Sequence, residues 1–143
     1  MLKVGCVLLT VWGAFNFLLA GLILMLLTLF QKHAPMLFIV FEESEIARLD
    51  SKVLAATKSL AILFNGCAAG LAALSLFVTW GALIHGHRWA LWALLLSAGL
   101  AQAMGFVADA VIGWKTLIPN SVLTLLFLVG IVLAGWSFLK SPA

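Results

Sequence analysis

The chain has 143 residues, 65% of them hydrophobic and 9% charged, with a formal charge of +3 and a mean hydropathy of +1.23. A soluble domain of this length carries about a quarter charged residues and somewhat under half apolar ones because its surface must face water. The composition excludes such a domain, and also disordered, collagen-like and disulfide-scaffold chains, which need polar tracts, periodic glycine or abundant cysteine.

Four apolar stretches follow in chain order, at about 4–30, 60–84, 89–112 and 118–139. A helix rises 1.5 Å per residue, so about 20 residues cross a hydrocarbon core of about 30 Å, and lipid offers no partner to an open backbone group. Each stretch is therefore expected to be a transmembrane helix. The whole of 1–143 reads as one all-α domain, an up-down-up-down four-helix transmembrane bundle. The first stretch is too long for a typical secretory h-region and no A-x-A-like site follows it, so it is expected to stay as an anchor. At about 40 Å of helix it must tilt or project beyond the bilayer.

Residues 31–59 are expected to form a partly helical interfacial loop. They hold four of the five acids, Glu42, Glu43, Glu45 and Asp50, together with Lys32, Arg48, Lys52 and Lys58. Pro35 suits a turn or a first helical turn, and 36–41 is an apolar hexamer too short to span but suited to the interface. The acidic run at 42–45 reads as a solvated helix start, and Asp50 as the N-cap of the second long helix, which then begins near Ser51. The other connections are the turn His85-Gly86-His87-Arg88 and the segment 113–120, with Asn120 or Ser121 expected to cap the fourth helix.

For orientation, the termini and the 85–88 turn carry Lys3, Arg88 and Lys140, while the opposite face carries Lys32, Arg48, Lys52, Lys58 and Lys115. The count of bases favours the second face inside. However, its loop acids balance its loop bases, Lys3 closely precedes the first span, and a tight basic turn rarely crosses. Both termini are therefore expected on the cytoplasmic side of a bacterial inner membrane. Trp80, Trp89, Trp92 and Trp136 form an interfacial belt on the terminus side, with Trp114 on the other.

Four polar residues lie within the spans: Asn16, Asn65, Gln102 and Asp109. Measured by helical rise from the loop-side ends of their stretches, Asp109 lies about 5 Å deep, Asn65 about 9 Å, Gln102 about 15 Å and Asn16 about 21 Å. Gln102 and Asp109 are two turns apart and share a narrow small-and-polar stripe with Ala98 and Gly105. Polar groups in lipid face the bundle interior or water, so these four are the candidate ligand-binding residues of a cavity with Asp109 at its entrance. The competing structural reading pairs Asp109 with Lys115, Lys58 or Lys32 and uses the amides to join helices, each such contact contributing about 0.6–2 kcal/mol. The Gly66–Gly70 pair and its small-residue counterpart Ala101–Gly105 are expected to pack helices inside the bundle. Phe-Asn-x-x-x-Ala-Gly-Leu occurs both at Phe15 and at Phe64, which reads as coincidence or shared packing chemistry.

No phosphate-binding glycine loop, nucleophile elbow, H-E-x-x-H or CxxC motif is present, so no cofactor and no metal are expected. His85 and His87 lack further ligands nearby. Cys6 and Cys67 differ in depth by about 25 Å, beyond disulfide reach. The eight basic residues are scattered singly and form no basic face, so a nucleic-acid partner is not expected. The expected partners are the lipid bilayer and a membrane protein or a second copy of the chain. The leading expectation is a non-enzymatic accessory or assembly subunit, or a binder of hydrophobic ligands. The alternatives are an enzyme acting on a lipid-soluble substrate near Asp109 and Gln102, and an oligomeric small transporter or channel.

Overall fold

Four long helices account for the apolar stretches: α1 (Leu2–Thr28), α4 (Ser51–Gly81), α5 (Arg88–Ile112) and α6 (Trp114–Lys140). The computed structural model describes residues 1–30 and 33–140, without the side chains of 114–116. Each of the four helices contains a segment long and apolar enough to cross a membrane, and the protein is an all-α, multi-pass integral membrane protein. Between 17% and 22% of each span's apolar window is buried inside the protein, so lipid must solvate the larger part of every helix. The hydroxyls follow the same demand. Thr10, Thr28, Ser75, Thr79, Ser97 and Ser121 each donate to the carbonyl one turn back on their own helix.

Two short helices, α2 (Leu37–Val40) and α3 (Glu43–Ile46), lie in the polar segment. The acids here are exposed and serve local structure, the Glu45 carboxyl accepting the Glu42 backbone N–H at 2.8 Å. Asp50 caps α4 by accepting the Lys52 N–H at 2.7 Å, so α4 begins at Ser51, well before its apolar stretch. A 3-10 turn, Leu83–His85, and Gly86 at φ +86° reverse the chain into α5. The left-handed region costs glycine little, which suits it to this corner.

The last connection departs from expectation. The segment 113–120 is not a loop: α5 ends at Ile112, only Gly113 intervenes at φ +122°, and α6 starts at Trp114. Asn120 is therefore not a cap but an interior residue of α6, and Ser121 donates to the Leu117 carbonyl as a helical residue. Pro119 sits within α6. Its missing N–H falls near the helix start, where it leaves most of the hydrogen-bond ladder intact, and membrane helices accommodate such prolines.

Residues that meet across helices do so in opposite sequence order. Gly5 lies beside Ala134 and Leu9 beside Gly130, Gly13 lies against Ala72 and Leu76, and Gln102 bonds Thr124 while Arg88 reaches the Phe138 carbonyl. α1 thus runs antiparallel to α4 and α6, and α5 antiparallel to α6. The most extensive contacts are those of α1 with α4 and with α6; those between α4 and α5 are slighter.

Two apolar clusters divide the interior. The larger occupies the terminus-side half and includes Leu9, Trp12, Leu83, Leu94, Phe127 and Ile131, with the Trp12 and Phe127 rings 4.9 Å apart and tilted by 50°. The smaller joins Leu27 of α1 and Ala61 of α4 to Ala34, Leu37 and Ile46 of the loop. The loop therefore caps the α1–α4 side, while none of the described residues of α5 and α6 belongs to this second cluster. Space opens between the two helix pairs in the loop-side half.

The close helix approaches are not where the sequence suggests. A Cβ placed at Gly66 or Gly70 would meet nothing within 4 Å, so this pair faces away from the bundle and does not pack it. Ala101 is exposed, and a Cβ on Gly105 would only touch Asn120 at an ordinary 3.5 Å. The positions that do require glycine are Gly5, whose added Cβ would stand 2.7 Å from the Gly130 carbonyl oxygen, and Gly13, pressed against Leu76. The GxxxG spacing marks a surface that can pack closely but does not say which way the helix turns it.

Candidate functional site

A cavity of about 470 Å³ fills the space between the helix pairs and receives residues from all four long helices. Its wall is mainly apolar, supplied by side chains such as Leu19, Ile23, Phe64, Leu71 and Leu123. Asn16 of α1, Asn65 of α4, and Gln102 and Asp109 of α5 all line it, so the four polar residues picked out by the spans converge on one space. Their depths are not those that counting from each stretch's end suggests. Trp12, one turn before Asn16, bonds Gln102, which places Asn16 on the loop side of Gln102 and not below it. The cause is that α1 continues beyond the end of α5.

The deep end is a hydrogen-bonded network. Trp12 Nε1 donates to Gln102 Oε1 at 3.3 Å, and Gln102 Nε2 donates to Asn120 Oδ1 at 2.5 Å and to Thr124 Oγ1 at 2.8 Å. Asn120 Nδ2 then donates to Asp109 Oδ2 at 2.6 Å. Gln102, only 9% exposed, uses both ends of its amide and ties α1 to α6 through α5. A buried amide in lipid without such partners is costly, so the network explains how a glutamine can occupy the middle of α5.

Asn16 and Asn65 behave alike. Each donates Nδ2 to the carbonyl one turn back on its own helix, Trp12 and Ala61 respectively, at 2.8 Å. With the amide nitrogen so directed, its oxygen has no protein partner among the described residues. Their matching Phe-Asn segments thus reproduce one local motif on two antiparallel helices that face the same cavity. Neither asparagine joins one helix to another, contrary to the structural reading of these amides.

Asp109 forms no ion pair among the described residues. Lys58 does not reach it; Lys32 and the side chain of Lys115, the other two expected partners, lie outside the described residues, as does the side chain of Trp114. Asp109 accepts from Asn120 alone, so its second oxygen has no protein partner among the described residues. Among the described residues, no group of three or more metal-ligating side chains exists. Cys67 lines the cavity and is exposed, whereas Cys6 is buried in the opposite half, and both are free thiols.

Sequence reasoning missed Trp12, Asn120 and Thr124. Trp12 had a usable signal: it lies far inside α1 while Trp80, Trp89, Trp92 and Trp136 stay exposed at the terminus-side interface. An indole N–H within a span needs an acceptor. Asn120 and Thr124 are one turn apart on α6, but the preceding proline suggested a helix start. The fold and site together define a polytopic α-helical membrane protein with an apolar-walled intramembrane cavity bordered by a few polar side chains. No protein-family model, curated protein or solved structure matches the chain.

Proposed function

We propose that this protein is a non-enzymatic binder of membrane-soluble amphiphiles, acting as a ligand-carrying accessory subunit. The observation that carries this reading is the convergence of Asn16, Asn65, Gln102 and Asp109 on one apolar-walled cavity of about 470 Å³. Ligand sites are typically apolar clefts of about 300–1,000 Å³ with a few placed polar groups. The apolar wall suits an acyl or prenyl chain, and the polar groups suit its head. Among the described residues, the wall holds a single carboxyl, bonded to an amide, and one thiol, Cys67. That is sparse equipment for turnover, which favours binding over catalysis.

Protein extracted in mild detergent and examined by native mass spectrometry is expected to carry a lipid-soluble adduct. Ala101→Trp, which places an indole into the cavity from an exposed position on α5, should lose the adduct while keeping its thermal unfolding midpoint. An adduct retained equally by this variant would place the ligand elsewhere. We further propose that both termini face the cytoplasm of a bacterial inner membrane. A phosphatase active only outside the cytoplasm, fused after Ala143, should then be silent, and a strong signal would reverse the orientation.

A further inference from the structure

We propose that the cavity selects amphiphiles whose head carries a cationic amine. This deepens the binding reading above and rests on it. The argument is an inventory of donors, acceptors and charge. Both N–H groups of Gln102 are engaged, by Asn120 and Thr124, and its oxygen and that of Asn120 each already accept one hydrogen bond. The groups with no protein partner at all among the described residues are the second Asp109 oxygen, the side-chain oxygens of Asn16 and Asn65, and one further N–H on each of the three asparagines.

The amides can serve an alcohol, an ester or an ammonium alike, so they do not discriminate. Asp109 does. It is the one acidic residue in the wall, and no lysine, arginine or histidine lines the cavity among the described residues. Asn120 holds one carboxyl oxygen at 2.6 Å and leaves the other directed to no protein donor among the described residues. A primary ammonium offers N–H donors and a positive charge, matching the open carboxyl oxygen of Asp109. An anionic head meets like charge and no compensating base among the described residues. Asp109 lies two turns along α5 from Gln102, about 10 Å nearer the loop end by helical rise, so the head would rest near the interface and the chain would run inward.

The test uses the native thiols. Cys67 lines the cavity and is exposed while Cys6 is fully buried, so N-ethylmaleimide labelling of the intact protein in nanodiscs, read by mass, reports occupancy at Cys67. Dodecylamine, dodecanol and dodecanoate share one chain and differ in the head. Dodecylamine is expected to slow labelling at about tenfold lower mole fraction in the bilayer than dodecanol, the ratio that a charge-assisted hydrogen bond supplies over a neutral one. Dodecanoate should protect no better than dodecanol. In Asp109→Asn, which keeps an oxygen for Asn120, the amine should fall to the level of the alcohol, and Asp109→Glu should restore its advantage. Equal protection by amine and alcohol, or an amine advantage that survives in Asp109→Asn, overturns head selection while leaving the binding reading intact. Protection by none of the three, together with no adduct on the purified protein, overturns both.

Discussion

Gly5→Ala is expected to lower the stability of the detergent-solubilised protein by about 1–3 kcal/mol, the range for overpacking a closed contact. The added Cβ would stand 2.7 Å from the Gly130 carbonyl oxygen and 2.8 Å from the Ala134 amide nitrogen. Both are backbone atoms, so no rotamer change relieves the clash and α1 must move away from α6. That movement also loosens Leu9, which packs against Gly130 from the next turn. Gly130→Ala should be milder, because its nearest neighbour is the Leu9 side chain, which can adjust. Gly66→Ala and Gly70→Ala serve as opposite controls. Their Cβ positions are open, so alanine should be neutral or slightly stabilising, by up to about 1 kcal/mol of helix propensity. Chemical unfolding in mixed micelles distinguishes these outcomes. Destabilisation by Gly66→Ala comparable to that of Gly5→Ala would mean that the outer face of α4 is covered by another chain.

This contrast shows what patterning could reveal. Hydropathy identified four spans because each is long enough to cross lipid, a property read without knowing any neighbour. The Asp50 cap was legible for a similar reason: it depends on residues two apart in the chain. Gly66–Gly70 matched a packing motif, but helix rotation depends on the partners, and α1 meets α4 through Gly13 and Ala72. Four apolar faces of nearly uniform composition leave that rotation undetermined from sequence.

Candidate site residues were legible to the extent that lipid makes polar residues conspicuous. Asn16, Asn65, Gln102 and Asp109 stood out against aliphatic surroundings, and all four border the cavity. Asn120 did not stand out, because Gly113 and Pro119, two residues that usually interrupt helices, both precede it. Only the continuation of α6 back to Trp114 moves Asn120 from a helix end to a position facing Gln102 and Asp109. Depth failed for a related reason, since the helix ends are not level.

Gln102→Leu is expected to cost about 2 kcal/mol, at the upper end of what interhelical hydrogen bonds in membranes contribute. The leucine fills similar space but leaves the Trp12 indole N–H and the Asn120 oxygen without the partner they have now, and an orphaned buried polar group is penalised more than a bond's net worth. Asp109→Asn should fold almost normally, since Asn120 keeps its acceptor. The decisive measurement is a double-mutant cycle with Trp12→Phe. Removing the indole N–H removes one of the orphans, so the pair should cost less than the sum of the singles by at least about 0.5 kcal/mol, the scale of coupling between residues in one network. Simple additivity would mean that the 3.3 Å contact carries no energy and that Gln102 is held by α6 alone. With the cycle coupled, Gln102→Leu should also weaken the amine preference, because Asn120, released from Gln102, no longer fixes the Asp109 carboxyl toward the cavity.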